Sequence, residues 1–247
     1  MQLTALPGLP RVAPGDDLAA LIGEALARAN LRLASGDVLV VAQKIVSKAE
    51  DRYVDLNAVR VGERARALAV ETGKDPRLVQ LILDESVAVV RQRPGVLIVE
   101  HRNGYVHANA GVDQSNIEQH PDRPRALLLP QDPDASAARL RRALGGEVNV
   151  IINDTAGRAW RNGVMGFALG TAGFEPVVDL IGRQDMFGNV LQITQVAVAD
   201  ELAAAASFVM GQAAEATPVV LIRGATLVPS EGNSSSLLRP REHDLFR

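Results

Sequence analysis

Two aspartates follow apolar segments of the chain and open polar, glycine-containing stretches. Asp113 lies in NAGVDQSN (109–116), and Asp154 lies in INDTAGRAWRNG, directly after the apolar run VNVII (148–152). A carboxylate at the exit of a strand is held by the sheet and exposed by the loop, and Mg²⁺ and Mn²⁺ prefer such oxygen ligands. The alternative is that both aspartates cap turns. If the two loops converge, we expect a divalent metal site between them.

Basic side chains occur in a third segment and after the second aspartate. Lys44 and Lys48 follow the buried-strand pattern VLVVA (38–42), and Arg158 comes shortly after the second aspartate. A lysine ammonium binds phosphate as a point charge, and a guanidinium binds phosphate or carboxylate through two parallel hydrogen bonds. Solvated surface lysines and an arginine on a solvated loop are the alternatives. These residues are therefore candidates for binding an anionic substrate.

Several common catalytic motifs are absent. The sequence has no Walker A motif, no GxGxxG after a strand, no HExxH and no GxSxG. It has no cysteine, which excludes disulfides, iron–sulfur clusters, thiolate zinc sites and cysteine nucleophiles. Among the scattered histidines, His101 and His107 flank a predicted turn and are interpreted as surface residues of two strands.

Composition narrows the class of protein further. Hydrophobic residues make up 47% and charged residues 22% of the 247 residues, which is typical of a globular chain. The net charge of −3 and the aromatic content of 3% argue against nucleic acid or an anionic membrane as a partner. No apolar run of about 18 residues is present, and the N-terminus is unlike a secretory signal. We expect a soluble, cytoplasmic protein.

Strand and helix patterns alternate irregularly along the chain. They predict strands at 1–6, 38–42, 87–90, 96–99, 148–152 and 219–223, and helices from Asp16–Asp17 and at 62–73, 75–83, 134–144 and 199–213. Asn103-Gly104 predicts a hairpin. Gly166 and Gly170 lie in a glycine-rich stretch and could let two backbones pack closely. We predict a single α+β domain with a mixed sheet over 1–247, with a loose tail from about residue 232.

Several segments, in one order, resemble the coenzyme F420-0:L-glutamate ligase family over nearly the whole chain. They are LPGLP, VAQKIVSKAE, NAGVDQSN, INDTAGRAWRNGVMGFALGTAG, and ADELAAAASFVMGQ followed by PVVLIRG. The resemblance implies a mixed, largely antiparallel sheet with flanking helices in an intertwined homodimer. Actinobacterial relatives append a nitroreductase-like flavin domain. Because this chain stops at Arg247, we expect neither that domain nor flavin.

The resemblance implies a GTP-dependent ligase. In the family, the GTP γ-phosphate passes to the terminal carboxylate of F420-0, and the amine of L-glutamate attacks the resulting acyl phosphate. GDP and phosphate leave, and later rounds add γ-linked glutamates to give F420-1, F420-2 and longer forms. The alternatives are a metal-dependent nucleotide phosphohydrolase that uses the same carboxylates and a non-catalytic GTP-binding dimer.

The resemblance also implies roles for individual residues. Asp113 and Asp154 match ligands of one divalent ion, and Thr155 and Gln212 match part of a second site. Arg158 joins the two aspartates as a candidate for catalysis. The implied GTP contacts are Leu9, Pro10, Arg11, Val12, Gln43, Lys44, Lys48, Asn116, Met210, Gly211, Gln212, Ala213, Ala214, Glu215, Ala216 and Thr217. The implied cofactors are two ions of Mg²⁺ or Mn²⁺, and K⁺ is a candidate monovalent cation.

Overall fold

The computed structural model describes residues 1–244. The helices are α1 (Leu18–Arg28), α2 (Gln43–Ala49), α3 (Glu63–Thr72), α4 (Pro76–Asp84), α5 (Pro133–Ala143) and α6 (Val198–Met210). The strands are β1 (Gln2–Ala5), β2 (Val38–Ala42), β3 (Tyr53–Asp55), β4 (Ser86–Arg93), β5 (Val96–His101), β6 (Val106–Ala108), β7 (Arg125–Leu127), β8 (Asn149–Arg158), β9 (Arg161–Phe174), β10 (Val178–Asp179), β11 (Gln195–Val196), β12 (Val219–Arg223) and β13 (Pro229–Ser230). Among these residues, no helix combines the length and the apolar character needed to cross a membrane.

A six-stranded sheet forms the centre of the molecule, in the order β1-β12-β2-β8-β9-β13. Strands β2 and β8 run parallel, and every other neighbouring pair in this sheet is antiparallel. The predicted α+β class with a mixed, largely antiparallel sheet is therefore confirmed.

Both faces of the central strands are covered by helices. Leu39 and Val41 on β2 pack with residues of α1, α2 and α5, whereas Val38 and Val40 pack against α6. All four side chains are fully buried. Successive residues of a strand point to opposite faces, so a continuous apolar run is what a strand between two helical layers requires.

The chain between α2 and α5 builds a second apolar cluster. Helices α3 and α4 pack on the small sheet β4-β5-β6 through residues such as Ile82, Leu97 and Val99. Strand β3 pairs with β7 beside it. The loop between β6 and β7 carries Asp113, so this cluster fixes the position of that aspartate relative to the main sheet.

Aspartates begin three of the helices. Asp17 accepts hydrogen bonds from backbone N–H groups at the start of α1, as Asp75 does for α4 and Asp132 for α5. Such a carboxylate satisfies donors that lack a partner within the helix and favours the positive end of its dipole. The predicted starts of these helices agree with the structure to within a few residues.

The glycine-rich stretch after Asp154 is a strand, which corrects the sequence prediction. Strand β8 continues to Arg158, and Asp154 lies inside it, paired with Phe167 of β9. A β-carbon at Gly166 would lie 2.5 Å from the Ala203 carbonyl oxygen of α6, and one at Gly170 would meet the backbone of α5. The glycines therefore allow helices to approach β9 closely, as their spacing suggested.

The predicted end of α6 and the predicted exposure of His101 and His107 are also corrected. Helix α6 ends at Met210 rather than residue 213, because Gly211 takes a positive φ of 76°. His101 and His107 are buried, not on the surface. Their rings pack in the interior, His101 against Tyr105 and His107 against Phe167.

The tail from residue 232 was expected to be loose, but its described part is anchored. Ser234 is buried, and its hydroxyl lies 2.9 Å from both the Asp134 carboxylate and the Leu169 carbonyl oxygen, either of which can accept its proton. A sequence pattern rich in serine and charge does not reveal such long-range partners. Residues 245–247 of this prediction lie outside the described residues.

Candidate functional site

Three elements that are distant in sequence meet at one end of the main sheet. Helix α2 begins immediately where β2 ends, the loop of residues 109–116 follows β6, and β8 carries Asp154. Ser47 of α2 is buried and donates to Gln43 Oε1 at 2.9 Å, and the Gln43 side chain in turn hydrogen-bonds to Asp154. This link orients Gln43 towards the carboxylate.

Lys44 joins α2 to the Asp113 loop. Its ammonium donates to Asp113 Oδ2 at 2.8 Å, and to the carbonyl oxygen and hydroxyl of Ser115 at 3.0 and 2.9 Å. The Lys44 side chain is only 21% exposed, so it is not an ordinary solvated lysine. The lysine segment and the first aspartate loop, which the sequence analysis treated separately, therefore meet in the structure.

Asp113 is held in its charged form. Its Oδ1 accepts from the backbone N–H groups of Gln114 and Ser115, and its Oδ2 also accepts from the Ser115 hydroxyl. Burial opposes ionisation, but the hydrogen bonds from Lys44 and Ser115 outweigh it and hold the pKa of Asp113 below its ordinary value. An ionised carboxylate is the form that a cation requires.

Asp154 is the opposite case. Burial raises its pKa to about 6, because the partly covered carboxylate loses hydration and faces the negative charge of Asp113. Hydrogen bonds from the Thr155 backbone and the Gln43 side chain, together with the charge of Lys44, offset only part of this cost. A carboxylate in this setting would gain stability from a nearby cation.

The two aspartates fit one hard cation. Both are carboxylates close enough for the charge of one to raise the pKa of the other, and both lie beside Lys44. Within residues 1–244, no group of three or more His, Cys, Asp or Glu side chains could hold a metal ion. A divalent ion between Asp113 and Asp154 would therefore need further oxygen ligands from substrate or water.

Thr155 and Gln212 lie on the other face of β8. Thr155 pairs with Gly166, whose missing β-carbon points at α6, whereas Asp154 pairs with Phe167, whose ring packs against Tyr105 and His107. Paired residues share a face of the sheet. The Gln212 side chain donates to Ser207 Oγ at 2.8 Å, beside Gly166. Thr155 and Gln212 offer only neutral oxygen atoms as metal ligands. A second metal ion here would therefore need further ligands.

Positive charge collects where α2 faces the N-terminal loop. Lys48 donates to the Asn116 carbonyl oxygen at 2.7 Å, and burial and the charges of Lys44 and Arg11 lower its pKa. Gly15 donates its backbone N–H to the Ala49 carbonyl oxygen, which brings the loop of residues 7–17 against α2. Besides burial, the charges of Lys44 and Arg11 contribute to the lowered pKa of Lys48. The three cations therefore create a positive potential here, which favours the binding of an anion.

The predicted nucleotide loop of residues 210–217 reaches the same end of the sheet. The Ala42 N–H donates to the Pro218 carbonyl oxygen at 2.8 Å, directly before Gln43. Within the loop, Thr217 Oγ1 donates to the Met210 carbonyl oxygen at 2.9 Å, and Glu215 accepts from the Ala213 N–H at 2.8 Å. Hydrogen bonds therefore tie α2 or the residue before it to Asn116, to the N-terminal loop at Gly15 and to the end of the 210–217 loop at Pro218, whereas Gln212 within that loop bonds to Ser207 of α6.

Arg158 lies away from the other two candidate catalytic residues, Asp113 and Asp154. It lies at the exposed tip of the β8–β9 hairpin, paired with Arg161, and its guanidinium donates to the Gly163 carbonyl oxygen at 3.5 Å. Four residues of strand separate it from Asp154, or about 13 Å at 3.3 Å per residue. Within one chain, the structure does not bring Arg158 to the carboxylates.

Sequence reasoning missed some residues near the site. Asn109 takes a positive φ of 56°, and its Oδ1 is buried without a hydrogen-bond partner in the described part of the chain. It lines a cavity with Asp113 and with Lys74, which lies in the turn before α4. The only signal in the sequence was the rarity of lysine, with three lysines against 23 arginines.

Comparison with known proteins points to one family. The model of the family described as F420-0:Gamma-glutamyl ligase matches residues 8–224. The chain is 46% identical to the coenzyme F420:L-glutamate ligase of Methanothermobacter thermautotrophicus, over all of this chain and 99% of that protein. It is 44% identical to the protein of that name from Methanopyrus kandleri and 41% to that from Archaeoglobus fulgidus, covering 98% and 96% of them and all of this chain.

Proposed function

The chain belongs to the F420-0:gamma-glutamyl ligase family, and from that membership we propose that it is a GTP-dependent ligase joining L-glutamate to coenzyme F420-0. The γ-phosphate of GTP passes to the terminal carboxylate of F420-0, giving an acyl phosphate and GDP. The α-amine of L-glutamate then attacks the acyl carbon and loses a proton, and inorganic phosphate leaves. Later rounds add further glutamates through γ-linkages.

One observation carries the proposal: Lys44, Asp113 and Asp154 converge beside a positively charged surface. Phosphoryl transfer depends on positioning and on neutralising charge that develops on phosphate oxygens. Lys44 and Lys48 would hold the GTP phosphates by charge-assisted hydrogen bonds. Gln43 would help to orient the Asp154 carboxylate, because its side chain lies close enough to favour the ionised form.

Asp113 and Asp154 would hold a divalent ion, Mg²⁺ or Mn²⁺. When bound, that ion supplies positive charge to the transferring phosphate and removes the repulsion between the two carboxylates. Asp113 would change partners or share Oδ2, which Lys44 occupies at 2.8 Å. A second divalent ion beside Thr155 and Gln212, and a K⁺ ion, stay predictions that call for metal titration.

The reaction is tested by measuring phosphate release from GTP with F420-0 and L-glutamate supplied together or omitted singly. We expect release to require both substrates and the product mass to rise by one glutamate residue at a time. Release from GTP alone at the full rate would instead identify a phosphohydrolase. Binding of GTP without any turnover would identify a non-catalytic nucleotide-binding protein.

We also propose that the protein is a homodimer. Two extensions carry exposed apolar side chains, with Trp160 at the β8–β9 tip 82% exposed and Phe187 between β10 and β11 83% exposed. Met186 and Ile193 are exposed on the same segment as Phe187. Apolar surface of this kind is typical of interfaces. Sedimentation at micromolar concentration should give the dimer mass, and Trp160→Glu should shift it towards the monomer.

A further inference from the structure

A cavity of about 280 Å³ adjoins the carboxylate site, with which it shares Asp113. Its lining includes Lys74, Asp75 and Leu78 from the start of α4, and Asn109, Val112 and Asp113 from the loop after β6. Both charged and apolar groups therefore line one partly open cavity. We name it the α4 cavity.

Lys74 supplies an uncompensated positive charge to this cavity. It is partly buried, and it makes no hydrogen bond or ion pair within residues 1–244. The neighbouring Asp75 does not neutralise it, because Asp75 is already paired with Arg77 at 2.6 Å and caps α4. A partly buried ammonium without a partner is stabilised by a bound anion, and a carboxylate is the simplest fit.

The loop after β6 supplies an acceptor to the same cavity. Asn109 Oδ1 is buried and has no hydrogen-bond partner in the described residues, which is costly for an amide oxygen unless a ligand donates to it. An amine or ammonium group is such a donor. Leu78 and Val112 also line the cavity and would contact the methylene groups of a short aliphatic chain.

We propose that the α4 cavity binds the L-glutamate substrate, with Lys74 holding one of its carboxylates and the amine lying near Asn109 and Asp113. This inference rests on the proposed ligase function. The attacking amine must reach an acyl phosphate formed beside Asp113, and this cavity shares Asp113 with that site. Its volume suits a small amino acid and lies below the range of about 300–1,000 Å³ typical of larger ligands such as GTP and F420-0.

Steady-state kinetics of the full chain test the proposal, with L-glutamate varied at saturating GTP and F420-0. Lys74→Ala should raise the KM for L-glutamate about ten- to a hundredfold, as expected for the loss of one charge-assisted contact. The KM for GTP should stay within about twofold. Lys74→Arg should recover most of the affinity, and Lys74→Glu should lower it further. Arg66→Ala is the matched control, since Arg66 is exposed on neighbouring α3.

The outcomes separate this proposal from the ligase assignment. If wild-type protein ligates glutamate and Lys74→Ala leaves its KM for glutamate unchanged, the cavity assignment is overturned. An increase confined to the KM for F420-0 overturns it as well and assigns the cavity to the carboxylate tail of the acceptor. If wild-type protein does not ligate, calorimetric titration of L-glutamate into wild type and Lys74→Ala decides the binding question alone, with weaker binding to the variant expected.

Discussion

Asp154 and Thr155 are neighbours in sequence, yet their side chains lie on opposite faces of β8 and meet different surroundings. Lys44, Asp113 and Gln43 lie on the Asp154 face, where burial and the charge of Asp113 raise the pKa of Asp154. The Thr155 face meets α6, where Gly166, Ser207 and Gln212 offer close packing and neutral hydrogen bonds. Strand alternation alone thus separates a charged site from a packed one, and substitutions on the two faces should have different consequences.

The largest effect is expected at Asp154. Asp154→Asn removes the charge that would hold the metal while keeping the shape of the side chain, so ligation should fall by at least about 100-fold with the fold intact. Rate measurement at saturating Mg²⁺ or Mn²⁺ checks this. Glu147→Gln is the control, because Glu147 is exposed just before β8. Activity of the Asp154 variant within tenfold of wild type would remove Asp154 from the site.

Lys48 tests whether the charged face binds the nucleotide. Lys48→Ala should weaken GTP binding about ten- to a hundredfold, because one charge-assisted contact contributes about 1.5–3 kcal/mol. Calorimetric titration measures the dissociation constant. Arg142→Ala, on the exposed end of α5, should leave it unchanged. Equal affinities for wild type and Lys48→Ala would show that Lys48 is only a structural contact to Asn116.

In the metal-free protein, the free energy of unfolding should depend on pH, because the ionisation of Asp154 destabilises the folded state. Asp154 has a pKa of about 6 when folded, against an ordinary 3.8, so its ionisation opposes folding. Below pH 3.8 both states are protonated and the cost is absent; it grows as pH rises to 6 and is complete above that. At pH 8, Asp154→Asn should therefore be more stable than wild type by about 3 kcal/mol.

Urea unfolding in a chelator at pH 4 and pH 8 measures this difference, which should nearly disappear at the lower pH. Added Mg²⁺ should stabilise wild type and not the variant, since a ligand that binds only the folded state raises its stability. If wild type is more stable than Asp154→Asn at pH 8 without metal, ionised Asp154 does not destabilise the folded protein and this prediction is wrong.

The smallest effect is expected at Gln212, on the neutral face. If its amide oxygen ligates a second metal, Gln212→Ala should raise the Mn²⁺ concentration for half-maximal rate about two- to tenfold, and Gln212→Glu should keep or lower it. Rate against Mn²⁺ concentration for the three proteins decides this. Superimposable curves would leave Gln212 as the partner of Ser207 and remove the second site from this face.

Local patterns predicted much of this molecule. The apolar run 38–42, the capping aspartates and Asn103-Gly104 each depend on neighbours in sequence, and β2, the starts of α1, α4 and α5, and the β5–β6 hairpin appear where these patterns indicate. The aspartate loops and the α2 lysines also follow from residue type. Residue type left Asp113 and Lys44 as separate candidates, and only the family resemblance implied that they belong to one site.

Tertiary structure alone decided the rest, because the decisive contacts join residues far apart in sequence. The glycine-rich stretch forms β9 since α5 and α6 press on Gly166 and Gly170, and no local pattern shows those helices. The pKa of Asp154 is raised since folding buries its carboxylate and also brings Asp113 near it, and Lys74 lines a cavity with the Asp113 loop only through the packing of α4. The sequence determined which groups were available for chemistry, and long-range packing determined their charge state, their face of the sheet and their partners.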